Sequence, residues 1–382
     1  MEKIRVAVLY GGRSGEHEVS LMSAASVLQN LDKSRFDVVP IAIDKGGRWL
    51  LNDLSLIEQG AKALPVFKDS PAVVLPPFPA SGTASLAPLD AGKTLKGPAK
   101  IDVIFPVMHG PLCEDGTIQG LLELADVAYV GCGVMASAVG MDKDVSKRLA
   151  RDAGILVVPW ITLQRGTYSR NPQALHDNVA KHLGYPCFVK PANMGSSVGV
   201  VKVKTVEELP AALKTAFAYD TKVLIEKAIN CREVEVAVLE QIEDGVAPIA
   251  SIAGEVIPHG DHEFYSYEAK YLDENGAALK IPAGLSPAEQ DAVRRVATDA
   301  FMALGCEGLT RVDFLLDKDT HQFYFNEVNT MPGFTSISMY PKLMAASGVP
   351  YAQLLTHLIE LALKRHRQKQ ALQRDYSAEL GK

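Results

Sequence analysis

The residues best suited to chemistry lie in the stretch 306–339, CEGLTRVDFLLDKDTHQFYFNEVNTMPGFTSISM. Leu309 to Leu316 is branched and aromatic with no Gly or Pro, which predicts a strand. Asp317-Lys318-Asp319-Thr320 is turn chemistry, and Gln322 to Val328 predicts the returning strand. Side chains alternate along a strand, so Arg311 and Asp313 share a face, as do Phe323, Phe325, Glu327 and Asn329. A turn closing near Lys318 and Asp319 sets Arg311 roughly opposite Glu327, with Asp313 diagonal to it at about 7–8 Å between backbones. Asp313, Glu327 and Asn329 then offer two carboxylates and one amide oxygen. Oxygen-only donors suit Mg2+, which binds few protein carboxylates and completes its shell with water and phosphate oxygens. An ion pair on a solvated sheet face is the other account of Arg311 beside two acids. Past Asn329, the run Thr330-Met331-Pro332-Gly333 breaks the strand and exposes backbone N–H groups.

The elements that must position these groups are legible upstream. Ile4 to Tyr10 is an apolar run ending in Gly11-Gly12-Arg13-Ser14-Gly15, and Val19 to Leu31 follows with helical character. Strand, glycine turn and helix open a doubly wound parallel sheet. The spacing G-G-x-x-G fails the dinucleotide pattern, so the glycines read as a tight βα turn. Glu16 stands at the helix start, beside the carboxyl end of a strand, where open α/β sheets bind ligands. Val38 to Asp44 and Ile101 to Met108 are further strands, and 45–100 is a Pro-, Gly- and Ala-rich embellishment, partly loop. His109 follows; spacing alone favours a buried structural histidine. Lys143 opens a helix reaching Asp152, a position where lysine usually sits on the surface.

Lys190 precedes A-N-M-G-S-S-V-G-V (192–200), a glycine–serine loop between two strands. Small residues let the backbone close over phosphates, with N–H groups and Lys190 meeting the charge. No Walker motif is present, and a plain structural hairpin is the alternative. Val223 to Lys227 is a strand ending in Glu226-Lys227; such a pair is usually solvated, though an acid there can accept from an adenine amino group. Val234 to Leu239 and Ala250 to Val256 are predicted strands. The long polar stretch 258–279, with Tyr265, Tyr267, Lys270 and Tyr271, predicts a water-excluding lid. His259 and His262 lack a third metal ligand and read as solvated. Ser286 and Glu289 form a capping box for a helix to Leu304, and Tyr351 to Lys364 is a final helix. Its basic end fits stabilisation at a helix C-terminus better than nucleic-acid binding.

Together the motifs R-x-D, N-E-x-N-x-x-P-G, G-G-R-S-G-E-H-E-V-S, H-G-x-x-x-E-D-G-x-x-Q-G and Y-E-A-K-Y resemble the D-alanine–D-alanine ligases, a branch of the ATP-grasp carboxylate–amine ligases. The resemblance runs in family order through nearly the whole chain, thinning over 45–100 and after Lys369. It implies a three-domain ATP-grasp fold: an N-terminal Rossmann-like parallel-sheet domain (1–131), a central domain carrying the phosphate loop (132–228), and a C-terminal domain with the lid and metal site (229–382). It further implies that Glu16, Ser196 and Tyr271 form a substrate triad and that His109 faces the first D-alanine. Lys143, Lys190 and Lys270 would contact phosphates, Glu226 and Lys227 the adenine, and Glu233 the ribose. Asp313, Glu327 and Asn329 would hold two Mg2+ ions, with Mn2+ as an alternative. Arg311 and the Gly333 N–H would stabilise an oxyanion, and Ser338 with the Met339 backbone would take the second carboxylate. Tyr271 fits the dipeptide-forming branch, since the branch making an ester to D-lactate generally carries Phe or His there. An enzyme using D-serine or D-lactate, an ATP-grasp kinase and a silent nucleotide-binding regulator are the rivals.

Composition bounds the setting. A chain of 382 residues, 47% hydrophobic and 22% charged, is expected to form two or three globular domains. A net charge of −6 argues against nucleic acid as the main partner. Five scattered cysteines without a C-x-x-C pair fit a reducing cytoplasm. No signal peptide or membrane-spanning run is read, and a homodimer acting on D-alanine and ATP is expected.

Overall fold

The computed structural model describes residues 2–57, 60–79, 84–89, 95, 100–168, 170–258 and 277–373. Three main sheets carry the chain. The first has seven strands in the order Ala87–Pro88, Ala72–Val74, Trp49–Leu51, Phe36–Ile43, Ile4–Gly11, Val103–Pro106 and Ala128–Tyr129. The last four of these are parallel. Val6 to Tyr10 is buried throughout, as a parallel strand covered on both faces must be. At its end Gly11 takes a φ of +89°, and a Cβ there would lie 2.2 Å from the Ile43 carbonyl oxygen. The tight turn expected of these glycines is therefore enforced by both backbone and space. The helix His17–Asn30 follows, starting two residues earlier than expected. The described residues of the 45–100 stretch include short strands that its composition did not indicate. Trp49–Leu51, Ala72–Val74 and Ala87–Pro88 extend the sheet edge antiparallel to one another. Each strand is only two or three residues long, too short to show an alternating pattern.

The second sheet is antiparallel, ordered Trp160–Gln164, Lys222–Lys227, Cys187–Pro191, Val201–Val203. The glycine–serine loop joins its last two strands in that order. The third sheet runs Ala277–Lys280, Gly254–Pro258, Cys231–Leu239, Leu309–Asp317, Phe323–Asn329. The single strand expected over Ala250 to Val256 is split into Ile249–Ala250 and Gly254–Pro258. Between them Ser251 takes over the pairing, its hydroxyl oxygen accepting from the Ala237 N–H at 2.9 Å.

The hairpin 309–329 forms as expected, but its register differs. Asp313 lies opposite Glu327 and Arg311 opposite Asn329. Two features shift it by two residues. The connection runs from Asp317 to Gln322 with His321 at φ +55°, and a bulge falls between Asp313 and Phe314. The shift sets the two carboxylates directly across from each other.

The chain end returns to the first sheet. Phe334 is fully buried, edge-on to Phe105 at 5.8 Å between ring centroids and packed with Tyr340 and Tyr351. One apolar cluster thus joins the first sheet to the helices Met339–Ala346 and Tyr351–Gln370. The second of these helices extends past Lys364. Its basic end has a use beyond the helix terminus: Arg365 donates to the carbonyls of Tyr129 (2.8 Å) and Gly131 (2.6 Å) and pairs with Glu307 at 3.1 Å. All five cysteines are free thiols, and among the described residues no helix is long and apolar enough to cross a membrane.

Candidate active site

The contact that closes the site joins residues 180 positions apart. The Ser196 hydroxyl donates to Glu16 Oε1 at 2.5 Å. Glu16 reaches outward from the start of the first helix, and Ser196 stands in the glycine–serine loop in a left-handed conformation, φ +52°. A Cβ on Gly110 would come 2.8 Å from Glu16 Oε2, so that glycine admits the carboxylate between the two loops. Tyr271, the third member of the expected triad, lies outside the described residues, as do Lys270, the histidines His259 and His262, and most of the 258–279 lid.

Lys143 ties the same loop to the hairpin. It begins the helix Lys143–Asp152, with Asp142 as N-cap accepting from the Asp144 and Val145 N–H groups. Its Nζ donates to the Met194 carbonyl at 2.7 Å and pairs with Glu327 Oε2 at 2.8 Å. A lysine expected on the surface is buried here because it bridges the glycine–serine loop and the hairpin. One helical turn on, Lys147 is wholly buried, 3.1 Å from Glu226 Oε2. Lys190 reaches the other oxygen, Oε1, at 3.0 Å. Glu226 is therefore not the solvated strand-end acid that its position suggests. Burial works against its charge, but Lys147 and Lys190 outweigh that and hold its carboxyl below the usual range. Burial in turn pushes the Lys147 ammonium down. The Lys227 side chain is exposed, and its backbone N–H bonds the Pro159 carbonyl.

Arg311 is forked onto Asp313, with Nε to Oδ1 and Nη2 to Oδ2 both at 2.7 Å, and its Nε lies 3.1 Å from Glu235 Oε2. Burial lowers the guanidinium, yet Asp313 and Glu235 more than offset this and raise it. Glu235 pairs across the sheet with Asp313, and Asp313 with Glu327, so three carboxylates form one row over three strands. Glu233 lies two residues from Glu235 on the same strand and hence on the same face. The donors of the expected metal set are all oxygens: the Asp313 and Glu327 carboxylates and Asn329 Oδ1, which accepts from the Met331 N–H at 3.2 Å. The set fits a hard cation that takes few protein ligands. In the structure the Arg311 and Lys143 cations balance its charge. Among the described residues no three His, Cys, Asp or Glu side chains cluster closely enough to chelate a metal by themselves.

His109 is buried, and both its nitrogens are engaged: Nδ1 lies 3.2 Å from the Met331 carbonyl and Nε2 3.0 Å from the Ser23 hydroxyl. Glu114 Oε1 is 3.7 Å from Nδ1. Burial lowers the imidazole, but Glu114 and Glu16 more than offset it, so it is raised, while burial pushes the Glu114 carboxyl up. Gly333 and Ser338 adjoin, since a Cβ on Gly333 would come 2.8 Å from Ser338 Oγ. Ser338 is the N-cap residue of the helix Met339–Ala346, though its hydroxyl bonds Thr335 rather than the helix N–H groups.

Sequence reasoning missed Lys147, Glu235, Glu114 and Ser23. Lys147 and Glu235 had spacing as a signal, Lys147 four residues from Lys143 on a helix and Glu235 two from Glu233 on a strand, while Glu114 is the acid of the H-G-x-x-x-E-D-G motif.

A glycine–serine loop between antiparallel strands, a lysine reaching it, and a carboxylate row on the facing sheet define an ATP-grasp carboxylate–amine ligase. Family models described as D-ala D-ala ligase N-terminus and C-terminus match residues 5–132 and 149–360. The chain belongs to the D-alanine–D-alanine ligase family. It is 57% identical over 378 residues to D-alanine–D-alanine ligase A of Bradyrhizobium diazoefficiens, covering 99% of this chain and 100% of that one. It is 46% identical to D-alanine–D-alanine ligase A of Escherichia coli, covering 97% and 99%. Among solved structures, the D-alanine–D-alanine ligase of Coxiella burnetii aligns with a TM-score of 0.80 at 36% identity, covering 100% of this chain and 99% of that one. The VanG D-Ala:D-Ser ligase of Enterococcus faecalis aligns at 0.79 and 34%, covering 94% and 100%.

Proposed function

We propose that this chain joins two D-alanines into D-alanyl-D-alanine for peptidoglycan synthesis, converting ATP to ADP and phosphate. The observation that carries the reading is the Ser196–Glu16 bond, which draws the phosphate-loop backbone onto the first sheet's ligand edge. One carboxylate oxygen of the first D-alanine attacks the γ-phosphorus, ADP departs, and an acyl phosphate results. The second amine attacks the acyl carbon; the resulting tetrahedral centre collapses, the carbon–oxygen bond to phosphate breaks, and the ammonium proton passes to solvent.

Each residue has a part in this reading. Glu16 and Ser196, with Tyr271, orient the first ammonium. Lys143, Lys190 and Lys270 neutralise phosphate charge, Glu226 and Lys227 meet the adenine, and Glu233 the ribose. Asp313, Glu327 and Asn329 would hold Mg2+, two ions in the family pattern with Mn2+ as an alternative, and the metal would supply charge neutralisation on phosphate oxygens. Arg311 and the Gly333 N–H face the oxyanion, a role worth about 3 kcal/mol per donor. Ser338 and the Met339 N–H take the second carboxylate. Domains 1–131, 132–228 and 229–382, a homodimer and a cytoplasmic setting complete the proposal. A D-serine acceptor draws support from the likeness to the Enterococcus faecalis enzyme, but the named relatives of higher identity are D-alanine ligases.

The test follows oxygen. With D-alanine labelled by 18O in its carboxylate, the released phosphate should carry one labelled oxygen. Unlabelled phosphate would refute the acyl phosphate, and a stable phosphorylated alanine would point to a kinase.

A further inference from the structure

We infer that Ser23 is a positioning residue for ligation: with His109 it fixes the 331–334 turn and so aims the Gly333 N–H. The inference rests on the reading of that N–H as an oxyanion donor. Ser23 is fully buried on the inner face of the helix His17–Asn30. That helix is itself held to the sheet one turn earlier, where Ser20 Oγ accepts from the Gly11 N–H at 2.7 Å and donates to the Val107 carbonyl at 2.5 Å. From this fixed base Ser23 Oγ accepts the Phe334 N–H at 3.3 Å and meets His109 Nε2 at 3.0 Å. His109 Nδ1 reaches the Met331 carbonyl at 3.2 Å.

A hydroxyl has one donor and two acceptor sites, and a neutral imidazole one of each. With Nδ1–H donating to Met331 and the Ser23 O–H donating to Nε2, every polar atom of the pair is satisfied. Gly333 is thus clamped from both sides by residues more than 200 positions away. Thr330 adds a third tie, its hydroxyl donating to the Glu114 carbonyl at 3.4 Å. The Phe334 ring seals the same turn in the core. Gly333 itself faces Ser338, so a turn that loosens would displace the oxyanion donor relative to the second-substrate pocket. Misplacing a preorganised donor weakens transition-state binding while leaving ground-state binding nearly intact.

The test uses Ser23→Ala in the full-length enzyme with a phosphinate analogue of alanyl-alanine, tetrahedral at phosphorus, as probe. The expected result is a kcat lower by on the order of tenfold and phosphinate affinity weakened by the same factor. KM for ATP should stay within about twofold under the same premise. His109→Asn, which keeps a donor near the Nδ1 position and drops the Ser23 contact, should reproduce the pattern if Ser23→Ala folds poorly. Unchanged kcat and phosphinate affinity would overturn the inference. So would a parallel loss of kcat, ATP affinity and melting temperature, which marks a merely structural role. If the wild type binds the phosphinate no tighter than the dipeptide, the Gly333 reading fails and this inference fails with it. If the wild type shows that preference and Ser23→Ala keeps it, only the role of Ser23 is lost.

Discussion

Glu226→Gln is the perturbation whose size follows most directly from the structure. The carboxylate is 2% exposed and answers two ammonium groups, Lys147 at 3.1 Å and Lys190 at 3.0 Å. A neutral amide keeps the volume but removes the charge and offers one acceptor oxygen to two ammonium groups, so one of them meets an NH2; the fully buried Lys147 also bonds the Phe325 carbonyl at 3.3 Å. Breaking a buried pair by removing one partner costs about 3–5 kcal/mol. Lys147 can lose its proton, which favours the lower end, about 3 kcal/mol. For a chain of 382 residues, at about 2 cal/mol/K of unfolding entropy per residue, the melting temperature at neutral pH should fall by about 4 °C. The pH dependence supplies the sign. The Glu226 carboxyl is held below its ordinary 4.5, so its stabilisation is complete above that value and is lost as pH falls through the folded pKa. The gap between wild type and variant should therefore be widest near neutrality and close in acid. Adding Lys147→Met should restore part of the loss, because the unpaired ammonium goes with it. Thermal unfolding across pH reads all three. A melting temperature within about 1 °C of wild type, or a gap that widens in acid, would refute the reasoning.

Two further predictions address the reaction. Asp313→Asn or Glu327→Gln should lower kcat by about a thousandfold or more, several kcal/mol of charge stabilisation, with the fold intact by circular dichroism; near wild-type turnover would remove the metal assignment. Tyr271→Phe should let D-lactate compete better with D-alanine as second substrate, read as the ester-to-dipeptide ratio by mass, and an unchanged ratio would count against the lid.

How far the sequence disclosed this depended on whether a partner was local or distant. The βα turn at Gly11, the capping box at Ser286, where both reciprocal bonds form, and the alternation along 309–329 were legible because their causes lie within a few residues. The register of that hairpin was not, because a longer connection and a bulge each moved it by one. Lys143 read as a surface residue on local grounds, and Lys147 drew no reading at all. What buries them is Glu226 and the Met194 loop, brought in by strands far along the chain. Ser196 and Glu16 were linked only through family resemblance, and their bond forms across 180 positions. His109 illustrates the converse: spacing favoured a buried structural histidine, and both its ring nitrogens are indeed committed to protein partners.

The most direct measurement of the central claim is ADP release by the purified protein with Mg-ATP, comparing D-alanine with L-alanine and weighing the product by mass spectrometry. The account predicts ADP with D-alanine alone, in step with a species of alanyl-alanine mass. ADP formed equally with L-alanine, or D-alanine consumed with no dipeptide, would contradict it.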